Sequence, residues 1–142
     1  MNVELLEKVK KRILKQPKRL NMQYWGTAVE GCGFVLQIPP CKTQACIAGE
    51  TVLAKRLVKI DKVNGGFLFP KGEFRIADKA AALLNLSNEQ ADRLFYTKSI
   101  RYNGGCWPAQ FDKAYKEALT PLERAKVAAA RIDHFIATNG AE

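Results

Sequence analysis

The residue types best suited to chemistry gather in Cys41-Lys42-Thr43-Gln44-Ala45-Cys46-Ile47-Ala48-Gly49. Thr43 is a good helix N-cap, so the pattern predicts a helix from Thr43 to about Val58, with Cys46 as its third residue. A thiol there faces unpaired N–H groups and the positive end of the helix dipole, and both favour the thiolate. Lys42 adds positive charge. Cys41 stands five residues before Cys46, as a resolving thiol or, in an oxidising setting, a disulfide partner. Cys41 and Cys46 are therefore the candidate reactive thiols. A second reading needs no chemistry. Ala45, Ala48 and Gly49 make a small-residue face, and a Gly inside a helix costs about 1 kcal/mol relative to Ala. Close approach by another backbone is the usual compensation. The spacing is not Cys-x-x-Cys, the flank is apolar, and the single His, His134, lies in the last expected helix. Free Cys mostly packs, and packing is the preferred reading.

Other chemistries find less support. Cys32, Cys41, Cys46 and Cys106 are separated by eight, four and fifty-nine residues, unlike zinc ribbons or fingers. No phosphate-cradling Gly loop, nucleophile elbow or metalloprotease helix is present. No metal or cofactor is expected. Charge is the remaining signal. The net charge is +9, and residues 1–20 hold Lys8, Lys10, Lys11, Arg12, Lys15, Lys18 and Arg19 against Glu4 and Glu7. Such a surface attracts phosphates and acidic proteins alike. Lys8, Lys11, Arg12 and Lys15, with Arg93 further on, are the candidate anion or nucleic-acid contacts.

The elements that must position these groups read mostly as helices. Leu5, Leu6, Val9 and Ile13 form one stripe of a basic amphipathic helix over residues 1–16, which Pro17 ends. Residues 18–40 read as irregular, with a short strand at Phe34–Ile38 and a stop at Pro39-Pro40. Asn64-Gly65-Gly66 is a turn, and Phe67–Pro70 an apolar connection or short strand. A third helix from about Phe74 to Asn85 carries Ile76, Ala77, Ala80, Leu83 and Leu84. Ser87-Asn88-Glu89-Gln90 is a capping box for a fourth helix bearing Ala91, Leu94 and Phe95. The tight corner between them suits a helix-turn-helix, with Asn85 in the left-handed turn position and Asn88, Gln90 and Arg93 able to read base edges. Glu89 and Asp92 argue against phosphate there. A fifth helix after Trp107-Pro108 carries Phe111, Ala114, Tyr115 and Leu119. Thr120-Pro121-Leu122-Glu123 caps the last helix, whose seam is expected at Leu122, Ala125, Ala129, Ile132 and Ile136.

At 142 residues the chain suits one domain, which needs no metal or disulfide to fold. No run approaches the roughly 18 apolar residues of a membrane span. The charged N-terminus lacks the apolar core of a secretory signal, so a cytoplasmic location with reduced thiols is expected.

Taken together, these segments resemble a family of small bacterial and phage proteins of uncharacterised function with a Cys-Gly-Thr-x-x-Cys-Ile-Ala-Gly-like segment. The matching residues are Cys41, Thr43, Cys46, Ile47, Ala48 and Gly49, then Leu84, Leu86, Ser87, Leu94, Phe95, Trp107 and Pro108, then Arg131, Ile132, Phe135 and Ile136. Lys42 stands where the family has Gly. The likeness covers roughly residues 19–138 and leaves out the basic first helix. It implies a shared helical fold and carries no activity.

The expectation is a mainly α, single-domain bundle of about five or six helices with a small irregular or β-containing segment near 18–40. Its expected role is a non-enzymatic interaction module whose unknown partner is a protein. Two alternatives stay open: nucleic-acid binding through the first helix and the helix-turn-helix-like corner, and thiol-dependent activity at Cys46.

Overall fold

A computed structural model of the chain describes residues 1–22, 45–58, 75–97 and 107–142, and the backbone of 59–60 and 67–68. Six α-helices dominate: α1 (Val3–Lys15), α2 (Ile47–Ala54), α3 (Ile76–Leu84), α4 (Asn88–Phe95), α5 (Ala109–Glu117) and α6 (Pro121–Ala137). A 3-10 turn at Pro17–Arg19 follows α1. Strands β1 (Lys59–Ile60) and β2 (Phe67–Leu68) pair antiparallel, Lys59 opposite Leu68. The protein is mainly α, as its apolar periodicity predicts. The strand, turn and double-proline expectations at 34–40 and 64–66 lie outside the described residues.

In α1, the Asn2 side chain accepts from the Leu5 N–H at 3.0 Å and caps the helix. Leu5, Leu6, Val9 and Ile13 are buried, as their spacing requires. Helix α2 differs from its neighbours because all eight of its residues are buried. A helix apolar on every side belongs at the centre of a fold, and α2 packs against α1, α3 and α4. Its buried Thr51 hydroxyl donates to the Ile47 carbonyl one turn back, at 2.9 Å.

The start of α2 corrects the expectation. The helix begins at Ile47, and Cys46 is its N-cap with extended backbone rather than its third residue. Ala45 explains this. Its N–H donates to the Arg19 carbonyl at 2.8 Å, and its carbonyl accepts from the Asn21 N–H at 3.1 Å. That bridge to Leu20 holds the backbone extended just before the helix. The far end falls short of the expected Val58 too: Arg56 is left-handed (φ 57°), and Leu57 is 38% exposed.

The α3–α4 corner forms as expected. Asn85 is left-handed at φ 51°, the Leu86 N–H donates to the Ala81 carbonyl at 3.0 Å, and both halves of the Ser87–Gln90 box are made. Helix α5 stops at Glu117, which leaves Leu119 88% exposed instead of on the helix's apolar side. Thr120 and Glu123 cap α6 reciprocally. The buried face of α6 is Ala125, Ala128, Ala129, Arg131, Ile132 and Phe135. Leu122 (47% exposed) and Ile136 sit at its margins. The expected seam is thus rotated, and α6 packs chiefly against α1 and α5, with smaller contacts to the Pro17–Arg19 turn and α4. One hydrophobic cluster joins residues of α1, α2, α3, α4 and α6, with Phe111 and Tyr115 of α5 packed on it.

Candidate functional site

The basic residues of α1 divide into two groups. Lys8, Lys11 and Lys15 are exposed, and among the described residues no hydrogen bond or ion pair holds their ammonium groups. At 100° per residue the three fall within about 60° of the helix circumference and form one outward row. Glu4, also exposed, closes that row at its N-terminal end.

The other group is used internally. The Arg12 Nε donates to Glu50 Oε2 at 3.0 Å, and Arg19 Nη2 lies 3.1 Å from Glu50 Oε1. Glu50 is only 3% exposed because it sits on the enclosed helix α2. A carboxylate taken out of water needs charged partners, and α1 with its following turn supplies both. Arg12 is therefore an anchor of α1 to α2 rather than an open contact. The signal was present in Ile47–Ala54, where Glu50 is the only charged residue of an otherwise apolar helix. Lys10 likewise joins Asp133 of α6 and lies 2.8 Å from Glu7. Those two hydrogen bonds, Asp133 first, raise its pKa above the ordinary lysine value.

Arg93 and the α4 face are also engaged. Arg93 Nη1 donates to the Gly140 carbonyl at 3.2 Å, and Nη2 lies 3.8 Å from Glu89. Gln90 Nε2 donates to the Asn139 carbonyl at 3.1 Å, while its Oε1 accepts from the Ser87 N–H. Two of the three side chains available for base reading therefore hold the turn that follows α6. Asn88 remains exposed.

Sequence reasoning named Arg131 only within the resemblance and missed its buried role; it is 0% exposed. Its Nη2 donates to the Arg93 carbonyl at 3.1 Å, and the Trp107 indole N–H donates to the Leu94 carbonyl at 3.0 Å. These are unpaired carbonyls at the end of α4, where the helix dipole favours a cation. The guanidinium also lies over the rings of Phe135 and Phe111, at 5.3 and 5.8 Å. Among the described residues its Nε and Nη1 have no hydrogen-bond partner. Burial pulls its pKa down to about 10, so it stays charged at neutral pH. The readable clue was its place beside Ala128, Ile132 and Phe135 on the α6 face.

Cys46 carries a free thiol that is 2% exposed. Burial pushes its pKa up to about 11, against the smaller opposing pull of backbone N–H groups, Gly49 first. The helix N-terminus therefore acts in the expected direction, and desolvation outweighs it. No described contact links Cys46 to His134, whose Nε2 is 3.0 Å from Glu142 Oε2 and whose ring lies 5.3 Å from that of Phe111. Cys32, Cys41, Cys106, Lys42 and Thr43 lie outside the described residues. Among the described residues no helix is long and apolar enough to cross a membrane.

Comparison with protein-family models, curated proteins and solved structures returns no match.

Proposed function

We propose that this protein is a non-enzymatic binding module that takes an anionic partner on the outward face of α1. The observation that carries this reading is the division of labour along one helix. Lys10 and Arg12 are tied to carboxylates of α6 and α2, whereas Lys8, Lys11 and Lys15 stand aligned, exposed and, among the described residues, without carboxylate partners. Unpaired cations in a row raise the local positive potential and attract anionic surfaces. A neutral, enclosed thiol at Cys46 supports packing rather than nucleophilic work, since the thiolate is the reactive form. The resemblance to small bacterial and phage proteins adds a shared fold and no activity.

The test is a comparison of two baits in extract from the native cell, one wild type and one carrying K8Q/K11Q/K15Q. All three positions are exposed, so the variant should keep the wild-type fold. The reading expects a bound species with the first bait that the second fails to retain. Identical recoveries from both baits would show that α1 is not the binding face.

A further inference from the structure

We infer that the anionic partner is the phosphate backbone of a nucleic acid, gripped without reading its sequence; this rests on α1 being the binding face. Four observations favour it over other anionic partners.

The first is the make-up of the row. Protein interfaces are enriched in Arg and aromatic side chains and depleted in Lys. The outward row of α1 is lysine, and its neighbouring arginine, Arg12, is turned to Glu50. The exposed apolar side chains of α1, Val3 and Leu14, are only 42% and 39% exposed and lie beside the row rather than in its centre.

The second is spacing. Lys8 and Lys15 are two turns apart, about 10 Å along the helix. A nucleic-acid strand offers a phosphate every 3.4 Å or so of axis. Each long, flexible lysine therefore meets a phosphate whatever the register. An acidic protein must instead place three carboxylates in one matching row.

The third concerns lipid. A helix that binds an anionic membrane inserts its apolar face. The apolar stripe of α1, Leu5, Leu6, Val9 and Ile13, is buried in the protein core, so only the two separate side chains Val3 and Leu14 are left to insert.

The fourth concerns sequence reading. Gln90 and Arg93 hold Asn139 and Gly140, so of the three side chains that could address base edges only Asn88 is left exposed. Contacts limited to phosphates position a protein without specifying sequence.

The experiment is fluorescence anisotropy with two short labelled duplexes of unrelated mixed sequence and a single strand of the same length. Three neutralised phosphates give a log–log salt slope near −2.7, or roughly 40-fold weaker binding between about 50 and 200 mM salt. Both duplexes should bind alike. K8Q/K11Q/K15Q should lose at least tenfold in affinity and most of the slope. K79Q/K113Q/K116Q, with the same loss of charge at exposed sites on α3 and α5, should lose less than threefold. Equal losses in the two variants, or a strong preference for one duplex, would overturn the inference. So would silence toward all three nucleic acids. If polyglutamate, or vesicles of phosphatidylserine and phosphatidylcholine in equal parts, then bind the wild type and not the α1 variant, the nucleic-acid assignment fails and the binding face stands. If K8Q/K11Q/K15Q leaves binding of every polyanion unchanged, both readings fail.

Discussion

Three enclosed side chains, Cys46, Glu50 and Arg131, show how burial changes what a residue can do. Cys46 should resist alkylation near neutral pH until denaturant is added, because the thiol is enclosed and protonated. Its pKa rises from 9.0 in the unfolded reference to about 11 in the fold, so the folded state binds the proton more tightly. The associated stability is complete below pH 9 and is lost as pH rises toward 11. Wild type should therefore lose stability relative to Cys46→Ala across that window, as read by denaturant melts at several pH values. Glu50 stands between two arginines, and Glu50→Ala leaves Arg19 enclosed without a counter-charge. A loss of about 2–3 kcal/mol is expected, below that of a fully buried pair because Arg12 is partly exposed. An unchanged urea midpoint would mean the pair contributes nothing net. Arg131→Ala removes the cap on the Arg93 carbonyl and leaves a cavity, and should cost about 3 kcal/mol or more. Arg131→Met fills the space without the charge and should recover much of that loss.

At the scale of elements, the endings of α3 and α6 are set by local geometry. Both use an Asn in the left-handed conformation, Asn85 and Asn139, each at φ 51°. After α6, the Gly140 N–H donates to the Phe135 carbonyl at 2.8 Å, and the Asn139 N–H to the Ile136 carbonyl at 3.1 Å. A Cβ on Gly140, itself at φ +75°, would come within 2.7 Å of Gln90 Nε2 and 3.0 Å of Phe135 Cζ. Gln90 is already fixed by its bonds to Ser87 and Asn139 and cannot yield freely. Gly140→Ala should therefore lower thermal stability by about 1–2 kcal/mol. Asn85→Gly should be close to neutral and Asn85→Ala should cost about 1 kcal/mol, since only the backbone conformation is at stake. A larger loss for the Gly variant would mean that the Asn85 side chain itself matters. The capping boxes at Ser87 and Thr120 were legible because every partner lies within three residues. The start of α2 was not, because its cause is Arg19 and Leu20, some twenty-five residues earlier in the chain.

For the whole molecule, the central position of α2 has the widest consequences. Gly49 is buried on a helix enclosed on all sides. Gly49→Leu should destabilise by about 2 kcal/mol or more through overpacking, even though Leu is the better helix former. An unchanged melting temperature would show that the space around α2 can yield. The choice of α6 face follows the same logic. Leu122, Ala125, Ala128, Ala129, Ile132, Phe135 and Ile136 span more apolar surface than one neighbour can cover, and the helices α1 and α5 decide which part is enclosed. The sequence by itself determined the helices, the capping boxes of α4 and α6, the left-handed Asn85 that ends α3, and the basic character of α1, because these follow from periodicity, φ preferences and charge within a few residues. Only the tertiary structure decided which charges remain outside. Whether Arg12 meets a partner or Glu50, and whether Cys46 is a thiolate or a thiol, depends on desolvation by segments distant in the chain, and no local pattern encodes that.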